Sequence, residues 1–299
     1  MEKHTRIAEA FALRSMSSMP IRELGSTGLK VTAFGLGGQS LLEMEGRQKD
    51  AINLVHKAID LGVNYFDTST IYGPSRYYLG KALGYHRKNI VLASKVRDRT
   101  YNGAKKELDE TFKLLKTDYL DLVQLHTIES EKDKTALGKD GALRFLLECK
   151  RAGIIGHIGF SSHNDPNIVL EFMNEFDFET ILIPINPAVP EFLIPAMEAR
   201  RIGLGVIGMK VMARGVLTLE VPPDDLLGYA MKWSDVAIVG CSNESDVEKN
   251  VIAATFQTGG HPIELSEEIR NKSRFFYKDS KIKMWPSTYQ PNWPVLNNS

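Results

Sequence analysis

The chain has 299 residues, 43% of them hydrophobic and 25% charged, with 37 basic and 37 acidic side chains. Such a balance furnishes a sizeable core without metal or disulfide staples, and its zero net charge, with no long run of one sign, argues against nucleic acid as a partner while leaving room for local basic pockets; no stretch reaches the roughly 20 apolar residues that span a bilayer. Two distant cysteines, Cys149 and Cys241, in no zinc-like spacing, point to a reduced, cytoplasmic setting and to no metal.

Residues 1–19 read as an N-terminal extension, disordered or helical; Glu9 interrupts the short apolar piece Ile7–Leu13, which makes it a weak secretion signal. Residues 20–299 read as one domain. Ile21–Val31, with Gly25 and Gly28 between apolar stretches, reads as a β-hairpin. Then follow eight short apolar runs: Ala33–Gly37, Asn64–Asp67, Ile90–Lys95, Leu120–Leu125, Ile154–Phe160, Thr180–Ile185, Gly203–Gly208 and Val236–Val239. Helical spacing marks stretches between them: Lys49–Leu61, Ala104–Leu115, Leu143–Ala152, Pro166–Glu175 and Val189–Arg201. Apolar strands separated by helices predict an α/β protein with a parallel sheet covered on both faces. Eight units predict a (β/α)8 TIM barrel, with a doubly wound open sheet as the alternative. A Rossmann turn needs G-x-G-x-x-G; Gly35-Leu36-Gly37-Gly38 lacks the third glycine.

In a β/α barrel the reacting groups sit where the strands end. Asn64–Asp67 ends in a carboxylate, and Tyr72 follows five residues later. Ile90–Lys95 ends in a lysine, and Leu120–Leu125 runs into His126. An isolated Asp after a strand is usually a helix cap or turn residue. A buried lysine is different, since an unpaired ammonium is costly to bury, and Asp67 on the preceding strand is the partner to expect. A phenol is a poor acid at neutral pH, and a nearby ammonium stabilises its conjugate base. An imidazole beside them can orient a carbonyl oxygen or relay a proton. The set suits protonation of an alkoxide as hydride reaches a carbonyl carbon.

Three segments carry a family resemblance. Arg22–Val31 with Phe34–Gly38, Gly62–Gly73, and Asp118–His126 together resemble the aldo-keto reductases, and the resemblance runs from about Ile21 to Asn250. It implies direct, metal-free hydride transfer between a nicotinamide cofactor and an aldehyde, ketone or sugar. Tyr72 would be the general acid or base, Lys95 would lower its pKa, Asp67 would hold Lys95, and His126 would position the carbonyl.

The resemblance also implies a cofactor site. Ser161 and Ser162, or His163 in place of the family's asparagine, would hold the nicotinamide carboxamide, beside Gly37 and Gly38. Met209 would replace the ring that stacks on the nicotinamide, and Lys210, Arg214 and Gly215 would flank the pyrophosphate. Cys241, Ser242, Asp246, Lys249 and Asn250 would form the adenosine end. Asp246 stands where NADP-preferring members have arginine or glutamine, so NAD(H) stays open beside the family's habitual NADP(H). The tail, with Phe275, Phe276, Tyr277, Trp285, Tyr289 and Trp293, would lie near the barrel mouth. Tyr72, His126, Tyr101, Trp285 and Trp293 would meet the substrate. Two other readings compete: a non-enzymatic, cofactor-binding regulatory subunit, and a lyase using Lys95 as a Schiff-base nucleophile. The partner expected is a small carbonyl or alcohol; the oligomeric state and the substrate's identity are not encoded legibly.

Overall fold

The structure is a computed structural model in which residues 18–163, 165–256 and 263–278 are described. A hairpin, β1 (Ile21–Glu23) with β2 (Lys30–Thr32), precedes eight parallel strands. They are β3 (Phe34–Leu36), β4 (Tyr65–Asp67), β5 (Val91–Val96), β6 (Leu120–Leu125), β7 (Ile155–Ser161), β8 (Thr180–Pro184), β9 (Gly205–Met209) and β10 (Val236–Val239). They close in sequence order, with β10 pairing parallel to β3. The expected barrel is therefore present and the open-sheet alternative is not.

Closure makes two cores. Inside, Tyr65, Val91, Ala93, Leu122, Leu182, Ile207, Met209, Val236 and Ile238 fill the lumen. Leu24 and Val31 of the hairpin join that cluster and plug the end where the strands begin. Gly25 is required there: its φ is +53°, and a Cβ would meet the Gly205 nitrogen at 2.2 Å. A cavity of about 380 Å³ beside the plug, lined by Ser26, Thr27, Phe176 and Gly203, lies at this same end, away from the strand C-termini.

Outside, helices pack their apolar stripes on the strands. They are α1 (Gln48–Asp60), α2 (Ser75–Ala82), α3 (Tyr101–Leu115), α4 (Ala142–Arg151), α5 (Pro166–Glu175), α6 (Leu193–Arg201), α7 (Pro223–Trp233), α8 (Glu244–Phe256) and α9 (Glu267–Lys278). In α1 the stripe is Ala51, Leu54, Val55 and Ala58, each large aliphatic member contributing about 1.5–3 kcal/mol of burial. Thr100 caps α3, its side chain accepting from the Gly103 N–H at 3.1 Å. That cap moves the start of α3 to Tyr101, three residues before the predicted Ala104. The predicted helix Val189–Arg201 is split, with Pro190–Phe192 forming a 3-10 turn ahead of α6. Met19, placed by the sequence in the extension, is buried in the outer core; residues 1–17 lie outside the described residues. Among the described residues no helix is long and apolar enough to cross a membrane.

Candidate active site

Alternate side chains of a strand share a face. Asp67 therefore follows Tyr65 into the lumen and Lys95 follows Ala93, while His126 continues the inward row of Leu122 and Gln124. Lys95 Nζ donates to Asp67 Oδ2 at 2.5 Å and to the Thr68 carbonyl at 2.9 Å. The same ammonium lies 4.8 Å from the centre of the Tyr72 ring. Tyr72 meets His126 edge-on, with ring centres 5.9 Å apart and an interplanar angle of 87°. His126 Nδ1 is 3.0 Å from Ser69 Oγ, which sets the ring's orientation. The four residues singled out from the sequence thus converge on one point at the C-terminal mouth.

Burial governs their electrostatics. It raises the Asp67 carboxyl and lowers the Lys95 ammonium, and their mutual attraction opposes both shifts. The Tyr72 phenol is pushed well above its usual 10 by burial, then by the carboxylates of Asp67 and Glu43. The expected lowering by Lys95 does not prevail, because burial outweighs it and the Asp67 carboxylate offsets that ammonium at contact distance. The His126 imidazole is held well below 6.5 by burial and then by Lys95, Arg97, Arg99 and Lys210. A protonated phenol, a neutral imidazole and a paired ammonium can together protonate and orient one oxygen atom.

The mouth is shaped by loops in uncommon conformations. Of the six non-glycine residues with left-handed backbone among the described residues, Ser40, Thr127, Lys210, Ala213 and Arg214 lie in loops that follow strand ends; such positions cluster at functional sites. Arg99, in the loop after β5, ties it to the loop after β6 that carries Thr127, donating to the carbonyls of His126 at 2.8 Å and Thr127 at 2.7 Å. Arg76, almost fully buried, donates to the Thr70 carbonyl and to Thr111 Oγ1 and so braces the segment that carries Tyr72. Neither arginine, nor Glu43, nor Ser69 was singled out from the sequence. Only Ser69, inside the motif ending at Tyr72, carried a signal.

Ser161 ends β7, and its Oγ accepts the Thr127 N–H at 2.8 Å. The Oγ of buried Ser162 has no partner among the described residues. Gly38 has a packing reason, since a Cβ would strike the Asp67 carbonyl at 2.4 Å; one on Gly37 would press the Gly240 nitrogen at 3.1 Å. Met209 ends β9 as a member of the inner cluster. Beyond it, Lys210 is pushed down to about 7 by burial and by Arg214, against the pull of Glu129. Gly215 closes this loop with φ +89°.

The segment Glu244–Asn250, which was assigned no helix from sequence, opens α8. Asn243 Oδ1 accepts the Asp246 N–H at 3.0 Å, and Asp246 Oδ2 accepts the Ser242 N–H at 2.9 Å. Asn243 therefore caps the helix, and the Asp246 carboxylate reaches back to the main chain ahead of it. Asn250 is buried, its Nδ2 donating to Cys241 Sγ at 3.4 Å, and Lys249, the residue before it, is exposed. Tyr101 corrects an expectation. Its hydroxyl donates to Glu148 of α4 at 2.6 Å and its ring packs on Phe145, so it belongs to the helical layer and not to the mouth. Trp285 and Trp293 lie outside the described residues.

The family model for the aldo/keto reductase family matches residues 33–226. An uncharacterized oxidoreductase of Bacillus subtilis, YqkF, is 32% identical over 222 residues, 68% of each chain. L-Galactose dehydrogenase of Arabidopsis thaliana is 28% identical over 93% of this chain and 100% of its own. The fold is shared with an aldo/keto reductase of Klebsiella pneumoniae solved with NADP and acetate. That match has a TM-score of 0.67 and 18% identity, covering 87% of this chain and 96% of that one. Barrel, motifs and family model agree: the chain belongs to the aldo/keto reductase family of oxidoreductases.

Proposed function

We propose that the chain interconverts a small carbonyl compound and its alcohol with NAD(P)(H), Tyr72 acting as the acid in reduction and the base in oxidation. The observation that carries this reading is the packing of Tyr72 against both Lys95 and His126 at the mouth. When bound, the nicotinamide supplies or accepts the hydride at the carbonyl carbon. His126, neutral and oriented by Ser69, donates a hydrogen bond that places the carbonyl oxygen beside the Tyr72 hydroxyl. As the carbon–oxygen π bond opens toward alkoxide, the Tyr72 hydroxyl proton moves to that oxygen. The phenolate left behind lies beside the Lys95 ammonium, which stabilises it until a solvent proton restores the phenol. An alkoxide is a far stronger base than a phenolate, so the raised pKa of Tyr72 still permits this transfer.

The residues present fit a nicotinamide dinucleotide. Lys210 and Arg214 repel one another beside the mouth, and a pyrophosphate bound between them relieves that repulsion. Ser162 offers an unsatisfied buried hydroxyl to the carboxamide. NADP(H) is the favoured form, since the Klebsiella pneumoniae relative was solved with NADP and the Asp246 carboxylate is engaged with the Ser242 N–H. Lys249, three residues on, is available to a 2′-phosphate. NAD(H) is the alternative. The test is titration of the purified chain with NADPH and with NADH, followed by nicotinamide fluorescence, then turnover on a panel of aldehydes and ketones. Saturable binding with turnover supports the reading; folded protein that binds neither nucleotide overturns it.

A further inference from the structure

His163 is a second imidazole at the mouth, and the chemistry above does not use it. Its ring centre lies 6.4 Å from that of His126, which itself meets Tyr72. The main chain that carries it is fixed from both sides. The His163 N–H donates to Glu129 Oε1 at 2.8 Å, and the Ser162 N–H donates to the Leu182 carbonyl at 3.1 Å. The side chain is 3% exposed, and among the described residues neither ring nitrogen has a hydrogen-bond partner.

Buried polar groups in folded proteins are nearly always hydrogen-bonded, and an imidazole retained for packing alone is better replaced by an apolar ring. Burial, followed by Lys210, His126, Lys95 and Arg214, holds the His163 imidazole well below 6.5. It is therefore neutral, with one nitrogen that donates and one that accepts. A hydroxyl can meet whichever nitrogen faces the mouth, accepting from the protonated one or donating to the bare one, if it lies next to the atom that His126 orients. A hydroxyl on the carbon beside the carbonyl has that chemistry and that position; a hydrogen or methyl there does not.

We propose that His163 is a specificity-determining residue that binds a hydroxyl group on the carbon adjacent to the reacting carbonyl, selecting α-hydroxy carbonyl substrates over their deoxy analogues. This assignment rests on the oxidoreductase reading given above. A site built to hydrogen-bond a substrate hydroxyl discriminates strongly against the analogue lacking it, because its own polar groups are then left unpaired. Ring contact with His126 favours the substrate as the partner. The nicotinamide carboxamide, which also donates and accepts, is the competing occupant that the test must separate.

The experiment compares lactaldehyde with propanal, which differ by that one hydroxyl, in the wild-type chain and in His163→Phe and His163→Gln. Nucleotide affinity is measured in parallel. The expected wild-type preference in kcat/KM is about 100-fold or more for lactaldehyde. His163→Phe should reduce that ratio by about tenfold or more through the lactaldehyde value, with nucleotide affinity unchanged within about twofold. His163→Gln, which keeps one donor and one acceptor, should restore part of the preference. His163→Met serves in place of the phenylalanine variant if that one does not fold. A wild-type preference near unity, a preference unchanged by removal of the imidazole, or an effect confined to nucleotide affinity overturns the assignment and leaves the oxidoreductase reading standing. Wild-type protein inert toward every carbonyl tested overturns both.

Discussion

Lys95 Nζ lies 2.5 Å from Asp67 Oδ2, and neither side chain is more than 1% exposed. A buried pair of this kind is weak evidence of stability, because taking both charges out of water offsets their attraction. Removing one partner is a different matter, since it strands a charge in the lumen. Asp67→Asn and Lys95→Met should each destabilise the fold by about 3–5 kcal/mol. The double variant should cost clearly less than the sum. Urea unfolding of the four proteins checks this, and simple additivity would contradict the pairing.

Two buried neutral imidazoles make stability depend on pH in a defined direction. His126 and His163 both have pKa values well below 6.5 in the fold and take up protons near 6.5 once unfolded. Below that pH the unfolded chain binds more protons, so stability is complete above about 6.5 and falls as pH drops. Two such sites give a slope approaching about 2.7 kcal/mol per pH unit. Unfolding free energies measured between pH 7.5 and 5.5 should be level above about 6.5 and steepen toward this slope below it, and His163→Gln should show about half the slope.

At the opposite end of the barrel a carboxylate acts in the same direction but in a more acidic window. Burial opposes ionisation of Glu179, but hydrogen bonds from His157, Lys150 and the Ile158 N–H hold its carboxyl down at about 2. Its contribution is present above the unfolded value near 4.5 and lost as pH falls from there toward 2. Glu179→Gln should cost on the order of 2 kcal/mol at pH 7 and nothing extra below pH 2. An unchanged unfolding midpoint at pH 7 would contradict this.

Much of this site was legible because a barrel converts sequence position into spatial position. A polar residue at the end of an apolar run must emerge at the mouth, which is why Asp67, Lys95 and His126 stand out in the sequence itself. Tyr101 misled, since a residue opening a helix is free to turn outward, and the Glu148 carboxylate on the next helix holds it there. Helix α8 was obscured because its first turns carry polar capping and charged residues, and its buried members Ala253 and Ala254 are too small to draw an apolar stripe. Arg76 and Arg99 act through main-chain carbonyls, which no side-chain pattern in the sequence reveals.

The cation pair beside the mouth makes a prediction about affinity. Arg214→Ala should weaken nucleotide binding by about 10–100-fold, the scale of one hydrogen bond to a charged group, and should reduce its dependence on salt. It should also allow the Lys210 pKa to rise from about 7, because Arg214 is the charge that depresses it after burial. Nucleotide titrations at two salt concentrations check this, and unchanged affinity would remove Arg214 from the site.

Tyr72 sets the pH behaviour of turnover. A phenol held well above 10 stays protonated throughout the neutral range, so kcat for reduction should be flat between pH 6.5 and 9. Oxidation of the alcohol, which needs the phenolate, should rise with pH over the same interval. A reduction rate that falls with an apparent pKa near 7 would assign the proton to another group.

The most direct test of the central claim is single-turnover reduction by Tyr72→Phe, with nucleotide affinity measured on the same protein. Loss of about 10²–10⁴-fold in rate, the range typical of a positioned acid, with nucleotide affinity and unfolding midpoint near wild type, is the expected result. A variant that reduces its carbonyl at the wild-type rate would contradict the assignment of Tyr72 and, with it, the mechanism built on the Asp67–Lys95 pair.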